Sequence, residues 1–269
     1  MTTKKDLATY EGPDRIVPAM EMAIRYQNEP EYMLMLNSGI PTLDKHTGGF
    51  RDGELITISG YTKNGKTLLA QTLTAAFIKQ KCFPLWFSFE VPTRQFLRQF
   101  PTVPHLFLPL ELKANAMDWL EDRIIEALQK FNCRCVFIDH LHFLFDLGRS
   151  RNPSLDIGQV IRRLKGMTIK HEIIIFLLCH TQQPKEGDEG LSYEKIRDSS
   201  FVAQESDSVI MIARTPEQNQ SHAVARVEFH RRTGVMKEKV LLEKVGWWLT
   251  EREYEPDDDQ GHRSRRSRG

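Results

Sequence analysis

Ile56-Thr57-Ile58-Ser59-Gly60-Tyr61-Thr62-Lys63-Asn64-Gly65-Lys66-Thr67 is the stretch on which the fold turns. A short apolar run comes first, then Gly-x-x-x-x-Gly-Lys-Thr, then a helical pattern through Leu68, Leu69, Leu73, Ala76 and Phe77. Strand, glycine loop and helix in that order make a P-loop. Gly60 and Gly65 are expected to let the backbone turn tightly, so that successive N–H groups point at phosphate oxygens. The helix start adds its positive end. Lys66 brings a point charge to β- and γ-phosphates, and Thr67 a hydroxyl ligand for Mg²⁺. Gly60, Asn64, Gly65, Lys66, Thr67 and Leu68 are therefore the candidate nucleotide-binding set, for ATP or another NTP or dNTP.

Upstream, residues 14–27 have helical spacing (Ile16, Met20, Ala23, Ile24) and end at Asn28-Glu29-Pro30. Such a helix either packs on its own domain or docks on a neighbouring copy. Residues 38–54 read as turn chemistry feeding the P-loop strand. Downstream, Phe83 to Phe89 reads as a buried strand ending at Glu90, and Pro92 opens a helix. Residues 101–112 hold three prolines and read as irregular with one short strand. A helix over 117–131, a strand Cys135–Asp139, a helix over 154–170 and an apolar strand ending at His180 follow. Asp207 to Ala213 is a strand ending at Arg214, Ala223 to Phe229 alternates, and 239–242 and 247–249 read as edge strands. Strands alternating with crossover helices predict an α/β fold: a mostly parallel twisted sheet, helices on both faces, antiparallel late strands. Residues 1–37 are an N-terminal arm or linker helix, 38–252 the core, and 253–269 an acidic-then-basic tail that reads as disordered.

The chain has 269 residues, 40% of them hydrophobic, enough for one large domain with small additions. A net charge of +1 excludes an electrostatic trap for nucleic acid made of the whole molecule; any such contact needs local placement of Lys and Arg. Cys82, Cys133, Cys135 and Cys179 fit no zinc or disulfide spacing and read as small buried thiols. With no leader and no apolar run of membrane-spanning length, a soluble protein of the cytoplasm (or host cytoplasm, if phage-encoded) is expected, with no membrane partner.

Three strands end in Glu90, Asp139 and His180 on the sheet edge that carries the P-loop, the edge where ligands sit in open α/β sheets. Asp139 has the form of a Walker B acid that holds Mg²⁺ with Thr67. Glu90 is placed to polarise an attacking water, and His180 to hydrogen-bond a γ-phosphate. Arg231 and Arg232 end a late strand. They read either as a solvated pair or as an arginine finger for a nucleotide on an adjacent subunit, and spacing does not say which of the two it is.

Taken in order, these motifs resemble a family. Gly39-Ile40 with Leu43-Asp44, Thr47-Gly48-Gly49, the P-loop, Phe87-Ser88-Phe89-Glu90, Ile138-Asp139-His140, Leu164-Lys165-Gly166, Cys179-His180, Ile196-Arg197-Asp198-Ser199, Ser206-Asp207-Ser208 leading to Arg214, and Arg231 with Thr233-Gly234 are similar to the RecA-like hexameric helicases. These are the DnaB-type replicative helicases and, closer, the helicase half of phage primase–helicases and Twinkle. The resemblance implies an ATP-dependent DNA helicase, a homohexameric ring on single-stranded DNA with ATP between subunits. In that frame Glu90 is the catalytic base, His180 the phosphate sensor, Arg231 the trans finger, and Arg214 packs on the base. Two polar loops, 146–153 and 181–193, would line the channel, with Arg149, Arg151 and Lys185 as DNA contacts. Phe229 stands where the family often has a lysine, and Lys244 where phage members place a base-stacking tyrosine. A lone motor of this kind would call for a separate primase or loader. A recombination ATPase of the RecA/RadA kind, or a non-motor loader or regulator, is the alternative reading.

Overall fold

The computed structural model describes residues 8–144, 153–181, 199–215 and 221–253. The chain divides into two units, Met1–Met33 and Leu34–Gly269. The first carries α1 (Ala19–Tyr26), with Glu21 in its first turn and Arg25 in its last, both favourable to the helix dipole. This helix is shorter than the 14–27 pattern because Pro18 stands just before its start, and the residue before a proline is biased out of the helical region. None of its residues is buried.

The second unit begins with β1 (Met35–Leu36), α2 (Pro41–Thr47) and β2 (Phe50–Arg51). The expectation of plain turn chemistry over 38–54 is thus corrected: β1 and β2 pair antiparallel around a helix. The start and stop signals were local ones, Pro41 in the first helical turn and Gly48 at φ 64° after the last. Seven residues are too few for a helical period to show.

Next come β3 (Leu55–Gly60), α3 (Lys66–Lys79), β4 (Leu85–Ser88), α4 (Thr93–Leu97), α5 (Met117–Phe131), β5 (Cys135–Asp139), a 3-10 turn (Leu141–Leu144), α6 (Pro153–His171), β6 (Ile174–His180), α7 (Ser199–Glu205) and β7 (Ser208–Arg214). Three strands close the chain: β8 (His222–His230), β9 (Met236–Val245) and β10 (Trp248–Glu251). One sheet takes β3 to β10 in the order β10-β9-β8-β7-β3-β6-β5-β4. From β7 to β4 every pairing is parallel; β8, β9 and β10 extend the sheet antiparallel, as the sequence pattern predicts. Gly246 at φ 59° followed by Trp247 links β9 to β10, with glycine first as in type II′ hairpins. Residues 101–112 contribute an isolated bridge, Leu85 to Phe107, in place of a strand. Among the described residues no helix is long and apolar enough to cross a membrane.

The inner strands are buried on both faces, hence their unbroken apolar runs. Their side chains alternate by the period of two. Val136, Ile138, Ile175 and Leu177 meet α5 and α6 through Ile124, Ile161 and Leu164. Ile56, Ile58, Phe137 and Phe176 meet α3 through Leu69, Leu73 and Phe77. Phe176 lies 4.6 Å from Phe137 and 5.5 Å from Phe77, centroid to centroid, and Trp86 stacks on Phe137 at 4.6 Å.

Between α5 and α6, Glu121 accepts from Lys170 (2.9 Å) and Arg163 (3.0 Å). The Lys170 bond, then the Arg163 bond, pull its carboxyl down to about 2. Folding depresses this group, so its contribution to stability is complete above its ordinary value of 4.5 and is lost as the pH falls through about 2. The expected result is a gap in urea midpoint between wild type and Glu121→Gln that is constant above pH 4.5 and closes in acid. A gap that stays the same at every pH would contradict it.

Candidate nucleotide site

β3 ends at Gly60, residues 61–65 form the loop, and α3 starts at Lys66. Gly65, at φ 98°, adopts the left-handed backbone that glycine favours. Gly60 is required for a different reason from the expected tight turn. A Cβ there would lie 2.2 Å from the carbonyl oxygen of Ile212 on β7, so glycine permits close approach of two strands. Backbone cannot give way as a side-chain tip would. Gly60→Ala is expected to cost about 1–3 kcal/mol, measurable by urea unfolding; an unchanged midpoint would contradict it.

Lys66 is 5% exposed, and its ammonium donates to the carbonyls of Gly60 (3.0 Å) and Tyr61 (3.1 Å). Burial lowers its pKa, opposed by the charges of Glu90 and Asp139. Asn64 N–H closes the loop onto Tyr61 O at 3.1 Å, and Leu68 O accepts from Thr72 Oγ1 at 2.9 Å. The Thr67 hydroxyl donates to Asp139 Oδ2 at 3.1 Å. Asp139 is 1% exposed, and among the described residues its other oxygen, Oδ1, is buried with no hydrogen-bond partner. Burial first, then the charge of Glu90, raise this carboxyl to about 7. An unsatisfied buried carboxylate oxygen beside a hydroxyl fits a hard divalent cation with oxygen ligands such as Mg²⁺, held by Thr67 and Asp139.

Glu90 follows β4, and its N–H and that of Phe89 donate to Asp139 O at 3.2 and 2.7 Å. These bonds tie the acid to the end of β5. Its Oε2 lies 3.3 Å from His140 Nδ1 and 3.6 Å from His180 Nε2. His180 is in register with Gly60, and Thr181 N–H donates to Gly60 O at 3.3 Å, so the end of β6 is bonded to the P-loop. Burial lowers the pKa of His180, helped by the charge of Lys66; burial takes His140 to about 4. Both rings are therefore neutral at pH 7. The part His140 takes in this cluster went unread in the sequence. Its position directly after the strand-end acid was the available signal.

The structure brings Gly60, Asn64, Gly65, Lys66, Thr67, Leu68, Glu90, Asp139 and His180 to one sheet edge, with Arg214 exposed at the end of β7 on that same edge. Arg231 and Arg232 lie elsewhere. β8 runs antiparallel to β7, and Arg231 N–H donates to Asp207 O, just before β7 starts. Both arginines are thus a strand length, roughly 20 Å, from the P-loop edge. Arg232 is engaged there, with Nε on Glu54 Oε1 at 2.9 Å and Nη2 on Gly49 O at 2.7 Å. Arg231 is exposed and donates to Gln204 O. Arg149, Arg151 and Lys185 lie outside the described residues. A cleft of about 670 Å³ between residues 106–113 and α5, walled by Leu106, Phe107, Trp119 and Phe131, includes none of the P-loop or strand-end residues.

A P-loop leaving an inner strand of a mixed, mostly parallel sheet, with Glu90 and Asp139 at the ends of strands on the same edge, is the arrangement of a RecA-like P-loop fold. Residues 35–102 match the family model of the DnaB-like helicase C terminal domain, and the chain's relatives in sequence are DnaB-type helicases. The replicative DNA helicase DnaB of Treponema pallidum (strain Nichols) is 32% identical over 94 residues, 34% of this chain and 21% of that protein. DnaB of Pasteurella multocida (strain Pm70) is 21% identical over 268 residues, covering 81% of this chain and 56% of the relative. DnaB of Haemophilus influenzae (strain ATCC 51907 / DSM 11121 / KW20 / Rd) is 21% identical over 255 residues, 78% and 54% respectively. The chain thus spans about half the length of the relatives that it matches along most of its own. Two solved structures share the fold, each at a TM-score of 0.70 and 14% identity. One is a separately solved ATPase domain (87% of this chain, 97% of that one), the other a DnaB-like replicative helicase studied for its interactions with primase (88% and 67%).

Proposed function

We propose that this chain is the motor of an ATP-dependent DNA helicase, working as a homo-oligomeric, hexameric ring on single-stranded DNA and served by a separate primase or loader. The observation that carries the reading is the division of groups between two sheet edges. Lys66, Thr67, Glu90, Asp139 and His180 gather at one, and exposed Arg231 stands at the other. A site needing both is completed between two copies. Lys66 binds the β/γ-phosphates, and Thr67 and Asp139 would hold a Mg²⁺ ion, which would supply positive charge at the phosphates. Glu90 orients the attacking water and accepts its proton. Neutral His180 donates to the γ-phosphate and couples its loss to residues 181–193. Arg214 packs on the base, and Arg231 of a neighbouring copy neutralises charge developing in the transition state. Arg149, Arg151 and Lys185 contact the strand, and α1 either packs on its own domain or docks on a neighbouring copy.

Strand displacement from a forked duplex, with ATP and Mg²⁺, tests the proposal. DNA-stimulated hydrolysis with displacement is expected. No displacement by an assembled ring, with and without a loader, removes the helicase reading. Strand exchange on filaments would favour a recombination ATPase.

A further inference from the structure

We propose that Glu90, His140 and His180 form a binding site for a transition-metal ion of the Zn²⁺ class, separate from the Thr67–Asp139 pair, whose occupation takes Glu90 away from water. One ligand atom from each residue lies within 4.8 Å of the others. Glu90 Oε2 is the shared corner, at 3.3 Å from His140 Nδ1 and 3.6 Å from His180 Nε2. Ligands at 2.0–2.1 Å on a tetrahedral ion are about 3.3 Å apart, so the two edges need little or no closure. The third edge, between the two imidazole nitrogens, is no longer than 4.8 Å, and the rings meet nearly perpendicular, at 82°, with centroids 4.4 Å apart.

A second observation concerns the buried imidazole of His140. Among the described residues His140 Nδ1 is buried, and the Glu90 carboxylate at 3.3 Å is the group that faces it without a well-aligned hydrogen bond. Asp139 Oδ1, 3.8 Å from that nitrogen, stays with the Thr67–Asp139 pair. A buried imidazole nitrogen held only by a carboxylate at 3.3 Å is a group that a cation between the two would satisfy. Ligand type separates this site from its neighbour. Two imidazoles and a carboxylate suit Zn²⁺, Ni²⁺ or Cu²⁺, whereas a hydroxyl and a carboxylate suit Mg²⁺. The three residues leave the ends of β4, β5 and β6, adjacent strands of the sheet, so the fold holds them together. That Zn²⁺ slows hydrolysis rests on the reading of Glu90 as base; the site itself does not.

Titration of the full-length protein with Zn²⁺, in excess Mg²⁺, followed by calorimetry, and with Co²⁺, followed by ligand-field absorption, tests the site. One ion per chain is expected. His140→Ala and His180→Gln should each weaken binding by roughly tenfold or more, with circular dichroism confirming that both are folded. Cys82→Ser should bind as wild type does. Folded wild type that takes up no Zn²⁺, unchanged binding in both histidine variants, or loss with Cys82→Ser overturns the site. Nucleotide hydrolysis should fall as Zn²⁺ fills the site and return on adding a zinc-selective chelator. Stoichiometric binding with hydrolysis unaffected overturns the capture of Glu90 and leaves the metal site standing.

Discussion

Glu90→Gln keeps nucleotide binding and lowers turnover by about 10²–10⁴-fold, the range for loss of a general base. Gln is nearly isosteric, so the backbone bonds from Phe89 and Glu90 to Asp139 O survive, and the ends of β4 and β5 stay joined. The carboxylate that accepts the proton of water does not. Its position suits a general base, because Glu90 is partly exposed, 38% in its side chain, while Asp139 is 1% exposed and bonded to Thr67. The two acids are thus placed differently, one reaching solvent and the other sealed against the P-loop. Titration with a fluorescent nucleotide and a phosphate-release assay on the same preparation check it. Retained hydrolysis would remove Glu90 from the role.

Arg231→Ala lowers turnover by about 10³-fold or more without lowering nucleotide affinity to match, the size of effect seen for arginine fingers. The distinctive result comes from mixtures. Because Arg231 stands at the edge opposite its own P-loop, it would act on the nucleotide of another copy. Mutant subunits should then depress the rate of wild-type subunits beside them, and activity should fall faster than the fraction of mutant added. Strictly additive activity would argue against a finger in trans. Arg232 provides the contrast. It pairs with Glu54, which is 8% exposed and also accepts Arg51 N–H at 2.8 Å. Arg232→Ala leaves a nearly buried carboxylate without its cation, so its main effect falls on stability.

Local chemistry was legible from residues adjacent in the chain. The P-loop, α5 and β5 could be read because glycine spacing, helical period and an apolar run ending in an acid are properties of a single segment. The same logic placed Glu90, Asp139 and His180 on one edge, since parallel strands all end on the same side. Illegible features depended on which segments become neighbours. Gly60 reads as a loop residue until Ile212 O is found against it. Arg231 and Arg232 read alike until Glu54 and Gly49 claim one of them. His140 reads as an incidental residue after a strand until β4 and β6 flank β5 and bring Glu90 and His180 to it.

Sequence alone therefore determined that a Gly-x-x-x-x-Gly-Lys-Thr loop sits on a mostly parallel α/β sheet with two strand-end acids beside it. Tertiary structure decided the strand order, and with it the contacts across strands: the close approach at Gly60, the Glu90–His140–His180 cluster, and the separation of Arg231 from the P-loop by the length of a strand. The physical reason is that backbone preference and hydrophobic period act within a few residues. Pairing between strands is settled by the packing of both sheet faces, to which residues from the whole core contribute.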